Sequence, residues 1–151
     1  MSRLYKAVFV ASALSIAVIA NSAVAGPVED RKELMKSVGK SLKVAIPMVK
    51  GEVPFDAAKA EAAMRTINGV PEKFAKLFPD GSDMHEKTEA APKIWKDMKG
   101  FLEKNEALKV ASAQAIIAAG KGADAFKASV FGSLVKTCKG CHESYRIKKE
   151  K

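Results

Sequence analysis

Five residues near the C-terminal end, Cys138-Lys139-Gly140-Cys141-His142, hold both cysteines of the chain and one of its two histidines. Cys-x-x-Cys-His is the attachment signature of c-type haem. On a helix, two thiols three residues apart project from one face and can add to the two haem vinyl groups. The next residue then turns its imidazole toward the iron from the same side. Other chemistries compete for these residues. A thioredoxin-like redox pair needs a βαβ setting, and no strand is available to supply it. A zinc site needs a fourth ligand with its own spacing, and the remaining histidine, His85, reads as an exposed loop residue. A plain pair of buried cysteines leaves His142 unexplained. Haem accounts for all three residues together, with Cys138 and Cys141 as thioether donors and His142 as an iron ligand. No convergent carboxylates, nucleophile–base pair or phosphate loop points to an enzyme.

Four helical segments must position that motif. Met35, Val38, Leu42, Ala45 and Val49 recur at helical spacing and predict a first helix from about Val28 to Lys50, kinked or ended early by Pro47. Asp56 is placed to cap a second, in which Ala60, Ala63, Ile67, Val70, Phe74 and Leu77 repeat. Because the repeat survives Gly69 and Pro71, one bent helix is expected. Pro79-Asp80-Gly81-Ser82-Asp83 opens the longest loop, lasting to about Ala90. The third helix starts at Ala91-Pro92 and runs to Ala119, with Ile94, Met98, Phe101 and Leu108 on its inner face and Trp95 and Leu102 beside them. The last runs from about Asp124 to Lys149, with Phe131, Val135, Cys138, His142 and Tyr145 on one face. No stretch alternates with a strand period. The expected fold is all-α, an antiparallel four-helix bundle around one covalently bound haem c.

Composition sets the compartment. Arg3 and Lys6 precede a mostly apolar run from Ala7 to Ala20, and Ala23-Val24-Ala25 offers the small residues of a cleavage site. Residues 1–25 therefore read as a signal peptide, too short for a comfortable membrane span. Residues 26–151 read as one exported, periplasmic domain. Of the 151 residues, 126 remain after cleavage, and the charge falls from +9 to +7 because Arg3 and Lys6 leave. The lysines are scattered apart from the tail at Lys148, Lys149 and Lys151, which suits a solvated surface rather than nucleic acid. No membrane insertion of the mature chain is expected.

With these elements in place, a family likeness emerges. The motif followed by Tyr145-Arg146 resembles the class II c-type cytochromes, the cytochrome c-prime family. Four further stretches resemble its low-spin cytochrome c-556 branch: Arg31-Lys32-Glu33-Leu34-Met35-Lys36, Lys50-Gly51-Glu52, Lys76-Leu77-Phe78-Pro79-Asp80 and Pro92-Lys93-Ile94-Trp95. The resemblance implies a haem near one end of the bundle, with Met35 facing the iron opposite His142. It also implies that Arg31 approaches a haem propionate and that Arg146 lies beside the proximal face. Tyr145 is a further candidate haem contact, and Trp95 or Phe101 borders the haem or simply fills the core.

Two functions follow from two states of Met35. If it ligates, the iron is six-coordinate and low-spin, and the protein is an electron carrier, because little rearranges when an electron moves. If it only packs nearby, as methionines on a helix seam commonly do, the iron is five-coordinate and binds nitric oxide or carbon monoxide. A haem-free helical thiol-redox protein is the third reading. For the carrier, the expected partners are other redox proteins with acidic surfaces, since the two haem propionates leave the domain mildly basic. The resemblance allows a monomer or a homodimer.

Overall fold

A computed structural model describes residues 26–84 and 87–147. The expected signal peptide at 1–25, His85 and the terminal lysines lie outside the described residues. Helix α1 spans Pro27–Lys50, opening on a proline at its first turn with Glu29 and Asp30 beside it, where carboxylates complement the helix dipole. It is not ended early at Pro47. That proline falls in the last turn, so it removes one ladder bond only, and its own carbonyl accepts the Glu52 N–H at 2.9 Å. Gly51 closes the helix at φ 75°, a left-handed conformation that a residue without Cβ adopts freely.

The second arm is two helices rather than the single bent one expected. Helix α2, Ala57–Asn68, is capped by Asp56, whose carboxylate accepts the Lys59 N–H at 3.0 Å. Helix α3, Val70–Phe74, follows after Gly69, and Leu77 lies in turns beyond it. Pro71 has no N–H to continue the ladder back to Ile67. Two asparagine amides hold the broken segment instead: Asn105 donates to the Pro71 carbonyl at 2.9 Å, and Asn68 donates to the Lys109 carbonyl at 2.8 Å.

The third arm also departs from expectation. A single turn, α4 at Lys93–Lys96, precedes α5 at Met98–Ala119, and Asp97 between them leaves helical geometry at φ −139° and ψ 55°. The physical reason is a cap: the Asp97 carboxylate accepts the Gly100 N–H at 3.1 Å.

The fourth arm runs as α6 at Ala123–Ser129, one π-helical turn at Val130–Leu134, and α7 at Val135–Tyr145. It stops at Tyr145, four residues short of the expected end, because Arg146 turns extended and pairs antiparallel with Ala90. The π turn inserts a residue, so the inner face passes through Phe126, Val130 and Leu134, each fully buried. Phe131, expected inside, is 40% exposed for the same reason.

These arms form a four-helix bundle, all-α among the described residues. Helix α5 packs against α2, α6 and α7, while α1 packs against α2 and α6. Val38, Ala45, Val49, Ala60, Ala63, Met64 and Ile67 meet Phe126, Val130 and Leu134 in a mainly aliphatic core. A second, aromatic core of Phe78, Ile94, Phe101 and Tyr145 lies beside α7. Among the described residues no helix is long and apolar enough to cross a membrane.

Candidate functional site

Between α1, α5, α7 and the segment joining α3 to α4 lies a cavity of about 540 Å³. Its size falls in the range of small-molecule and cofactor sites, about 300–1,000 Å³. Cys138, Cys141, His142 and Tyr145 line it from α7, Arg31 and Met35 from α1, and Phe101 from α5. Arg146 also lines it, from the extended residue after α7. Every candidate site residue of the sequence reading thus borders one space. Phe101 is 1% exposed there, whereas Trp95 stands behind the lining, its ring against Phe78 and its Nε1 donating to the Pro79 carbonyl at 3.2 Å.

The methionines divide clearly. Met64 is fully buried in the aliphatic core, Met48 is buried with its sulfur accepting the Asp56 N–H, and Met98 packs with the aromatic cluster. Met84 is almost fully exposed. Of the methionines among the described residues, only Met35 lines the cavity.

The chemistry of the lining fits a large, mainly apolar group that bears an acid. Both thiols are free, and burial pushes their pKa values up, with the neighbouring Cys138 adding to the effect on Cys141. Partial burial, and then the charge of Arg146, pushes the His142 imidazole down and favours the neutral form that binds metals. Arg31 carries the sharpest signal. Its residue is 5% exposed, its Nη2 donates to the Ser82 carbonyl at 3.0 Å and Thr88 Oγ1 at 3.4 Å, and its Nη1 is buried with no hydrogen-bond partner. The guanidinium lies 4.7 Å from the Phe78 ring centroid and 5.7 Å from that of Trp95. A buried cationic donor left unpaired is costly. A carboxylate on whatever fills the cavity would satisfy it.

Two polar anchors were not anticipated from sequence. Tyr145 is buried and its hydroxyl donates to Asp97 Oδ2 at 2.7 Å. That bond pushes the Tyr145 pKa up to about 12 and, from the other side, pulls the Asp97 carboxyl below its ordinary value, helped by the Gly100 N–H. Glu89 Oε2 accepts from Arg146 Nε at 3.0 Å and Nη2 at 2.6 Å. Asp97 had a readable signal, since it precedes an apolar helical run as an N-cap should. Glu89 had none.

A family model described as Cytochrome C' matches residues 26–146. The chain belongs to the cytochrome c' family. It is similar to a cytochrome c-556 of Agrobacterium fabrum, 38% identical over 83% of this chain and 84% of the relative. Among solved structures, a cytochrome c' of Rhodopseudomonas palustris superposes with a TM-score of 0.78 at 31% identity, covering 84% of this chain and all of that one. A cytochrome c prime variant of Alcaligenes xylosoxidans, solved in the ferrous state with bound NO, superposes with a TM-score of 0.73 at 28% identity, covering 83% and 99%. As a member of this family, the chain carries one covalently attached haem c, and the cavity bordered by two thiols, an imidazole and a guanidinium with one unpartnered nitrogen is where such a group fits.

Proposed function

We propose that this chain is a periplasmic electron carrier whose low-spin haem c is bound through Cys138 and Cys141 and ligated by His142 and Met35. The observation that carries the reading is that His142 and Met35 line the same cavity from different helices, with no other methionine among the described residues on it. Arg31 would receive a haem carboxylate on its free Nη1, and Tyr145 and Arg146 would border the proximal side. Residues 1–25 would be removed on export.

When bound, haem supplies a one-electron iron couple. The chain's own residues tune it. His142 is partly solvent-exposed, so two thioether links matter for retention where the wall is open. A methionine thioether favours ferrous iron and raises the potential relative to histidine alone. Were His142 and Met35 both to hold the iron, little around it would need to rearrange when an electron moves. The residues after cleavage carry +7, and the basic surface would favour acidic redox partners whether the protein is a monomer or a homodimer.

A second reading, a five-coordinate gas-binding protein, is favoured by the similarity to cytochromes c', one of them solved with NO. An absorption spectrum separates the two. A weak far-red band in the oxidised protein, assigned to sulfur–iron bonding, is expected, and Met35→Ala should abolish it and give a high-spin spectrum. A wild-type protein that is already high-spin and binds carbon monoxide when reduced would reject Met35 ligation. The thiol-redox reading is disfavoured by the raised thiol pKa values, since reactive pairs have lowered ones. Mass spectrometry after denaturation should show the added mass of a covalent haem.

A further inference from the structure

Thr88 to Ala91 form a short strap that lines the cavity and joins α1 at one end to the close of α7 at the other. At the α7 end, the Ala91 N–H donates to the Tyr145 carbonyl at 3.0 Å and the Ile147 N–H donates to the Glu89 carbonyl at 2.8 Å. The Glu89 carboxylate adds two contacts from the Arg146 guanidinium. At the α1 end, Thr88 Oγ1 accepts from Arg31 Nη2 at 3.4 Å and from the Ala90 N–H at 3.2 Å. That second bond folds the threonine back onto its own strap, so the side chain is fixed where the guanidinium meets it. Arg31 is buried between the strap and the rings of Phe78 and Trp95, and it sits one helical turn before Met35. Met35 follows Arg31 by four residues on α1, and Arg146, the extended residue just past α7, follows His142 by four. The two strap contacts therefore each fall on a residue four positions along the chain from a candidate iron ligand.

We propose that Thr88 and Glu89 are positioning residues that set the separation of α1 from the end of α7, and so govern how readily an outside ligand takes the place of Met35 at the iron. The inference rests on the reading above in which Met35 and His142 approach one iron. The strap would act through Arg31 and Arg146 without touching the iron.

The test is an imidazole titration of the oxidised holoprotein, followed by absorbance, in Thr88→Val, Thr88→Ser and Glu89→Gln, with thermal unfolding measured alongside. Thr88→Val removes the acceptor for Arg31 and the Ala90 N–H while keeping the shape, and imidazole should bind about tenfold more tightly. Glu89→Gln weakens a half-exposed ion pair, for which a change of about threefold is expected. Thr88→Ser restores the hydroxyl and should return the wild-type affinity. Affinities within twofold of wild type in both Thr88→Val and Glu89→Gln would overturn the proposal. So would a rise in Thr88→Ser equal to that in Thr88→Val. The far-red band of the wild type reports on Met35 separately. If it is absent, Met35 ligation fails, while the imidazole affinities still decide whether the strap governs access. Should Thr88→Val not accumulate as a folded holoprotein, Glu89→Gln decides by itself.

Discussion

The two ends of the bundle are built by different physics. Around Phe126 the core is aliphatic and alanine-rich, drawn from long stretches of α1, α2 and α5, and Phe126, Val130 and Leu134 are each fully buried. Around Phe101 the helices are short or interrupted, the packing is aromatic, and polar bonds between distant residues fix the geometry. Phe78 lies 4.6 Å from Phe101 and 5.1 Å from Phe74 between ring centroids, both edge-on, and Phe101 meets Tyr145 at 5.6 Å. The lesson is a division of labour. The aliphatic end stabilises the bundle by burying area, while the aromatic end spends regularity on placing a few side chains around a cavity.

If that division holds, the largest stability effect should come from the end without chemistry. Phe126→Ala removes a ring that is fully buried and packs on Phe55 at 5.7 Å. A loss of about 3–5 kcal/mol is expected, read by denaturant unfolding. The absorption spectrum of the folded variant should match wild type. A spectrum that changes as much as the stability does would merge the two ends into one cooperative site.

The same contrast explains what could be read from sequence. Ala60, Ala63 and Ile67 recur at helical spacing because one aliphatic face needs only period and size, and Asp56 announces its helix by a local cap. The Cys-x-x-Cys-His spacing is equally local, so the proximal half of the candidate site was visible. The rest was not, because its determinants are far apart in the chain. Tyr145 finds Asp97 48 residues away, and Arg31 finds Thr88 at a separation of 57. The broken third arm follows from the first of these regions: Asp97 caps α5 in place of continuing a helix from Pro92. The π turn was hidden for another reason. Periodicity read through Phe131 assumes 3.6 residues per turn, whereas Phe126, Val130, Leu134 and Cys138 advance by four each time, as one inserted residue requires.

A smaller stability effect with a larger spectral one should come from Gly100. A Cβ at that position would stand 2.6 Å from the Tyr145 hydroxyl and 2.6 Å from Asp97 Oδ2. Neither atom can withdraw without opening the bond between them, and Tyr145 is three residues from His142 on the same helix. Gly100→Ala should cost about 1–3 kcal/mol, as overpacked sites do. It should also shift the haem absorption bands, which Phe126→Ala leaves in place. An unshifted spectrum in Gly100→Ala would show that the Asp97–Tyr145 anchor holds the fold and does not orient the haem-bearing helix.

The smallest effect is a pH signature that only one end can have. Asp97 has a folded pKa below its ordinary value, first because Tyr145 donates to it and then because Gly100 does. Its stabilising contribution is therefore complete above the ordinary carboxylate value near 4 and is lost as pH falls through the depressed folded value. Tyr145 has its pKa raised to about 12 by the same bond, so its contribution is complete below the ordinary tyrosine value near 10 and is lost as pH rises through 12. The stability gap between wild type and Tyr145→Phe should accordingly be flat from about pH 5 to 9 and narrow on either side. The gap for Phe126→Ala should not change with pH, because the aliphatic cluster contains no titratable side chain. Denaturant unfolding of the three proteins from pH 2.5 to 7 is enough to compare the acid limbs. A Tyr145→Phe gap that persists undiminished at the acid end would mean that the hydroxyl is held by something other than the ionised Asp97, and the polar anchor of the aromatic end would have to be sought elsewhere.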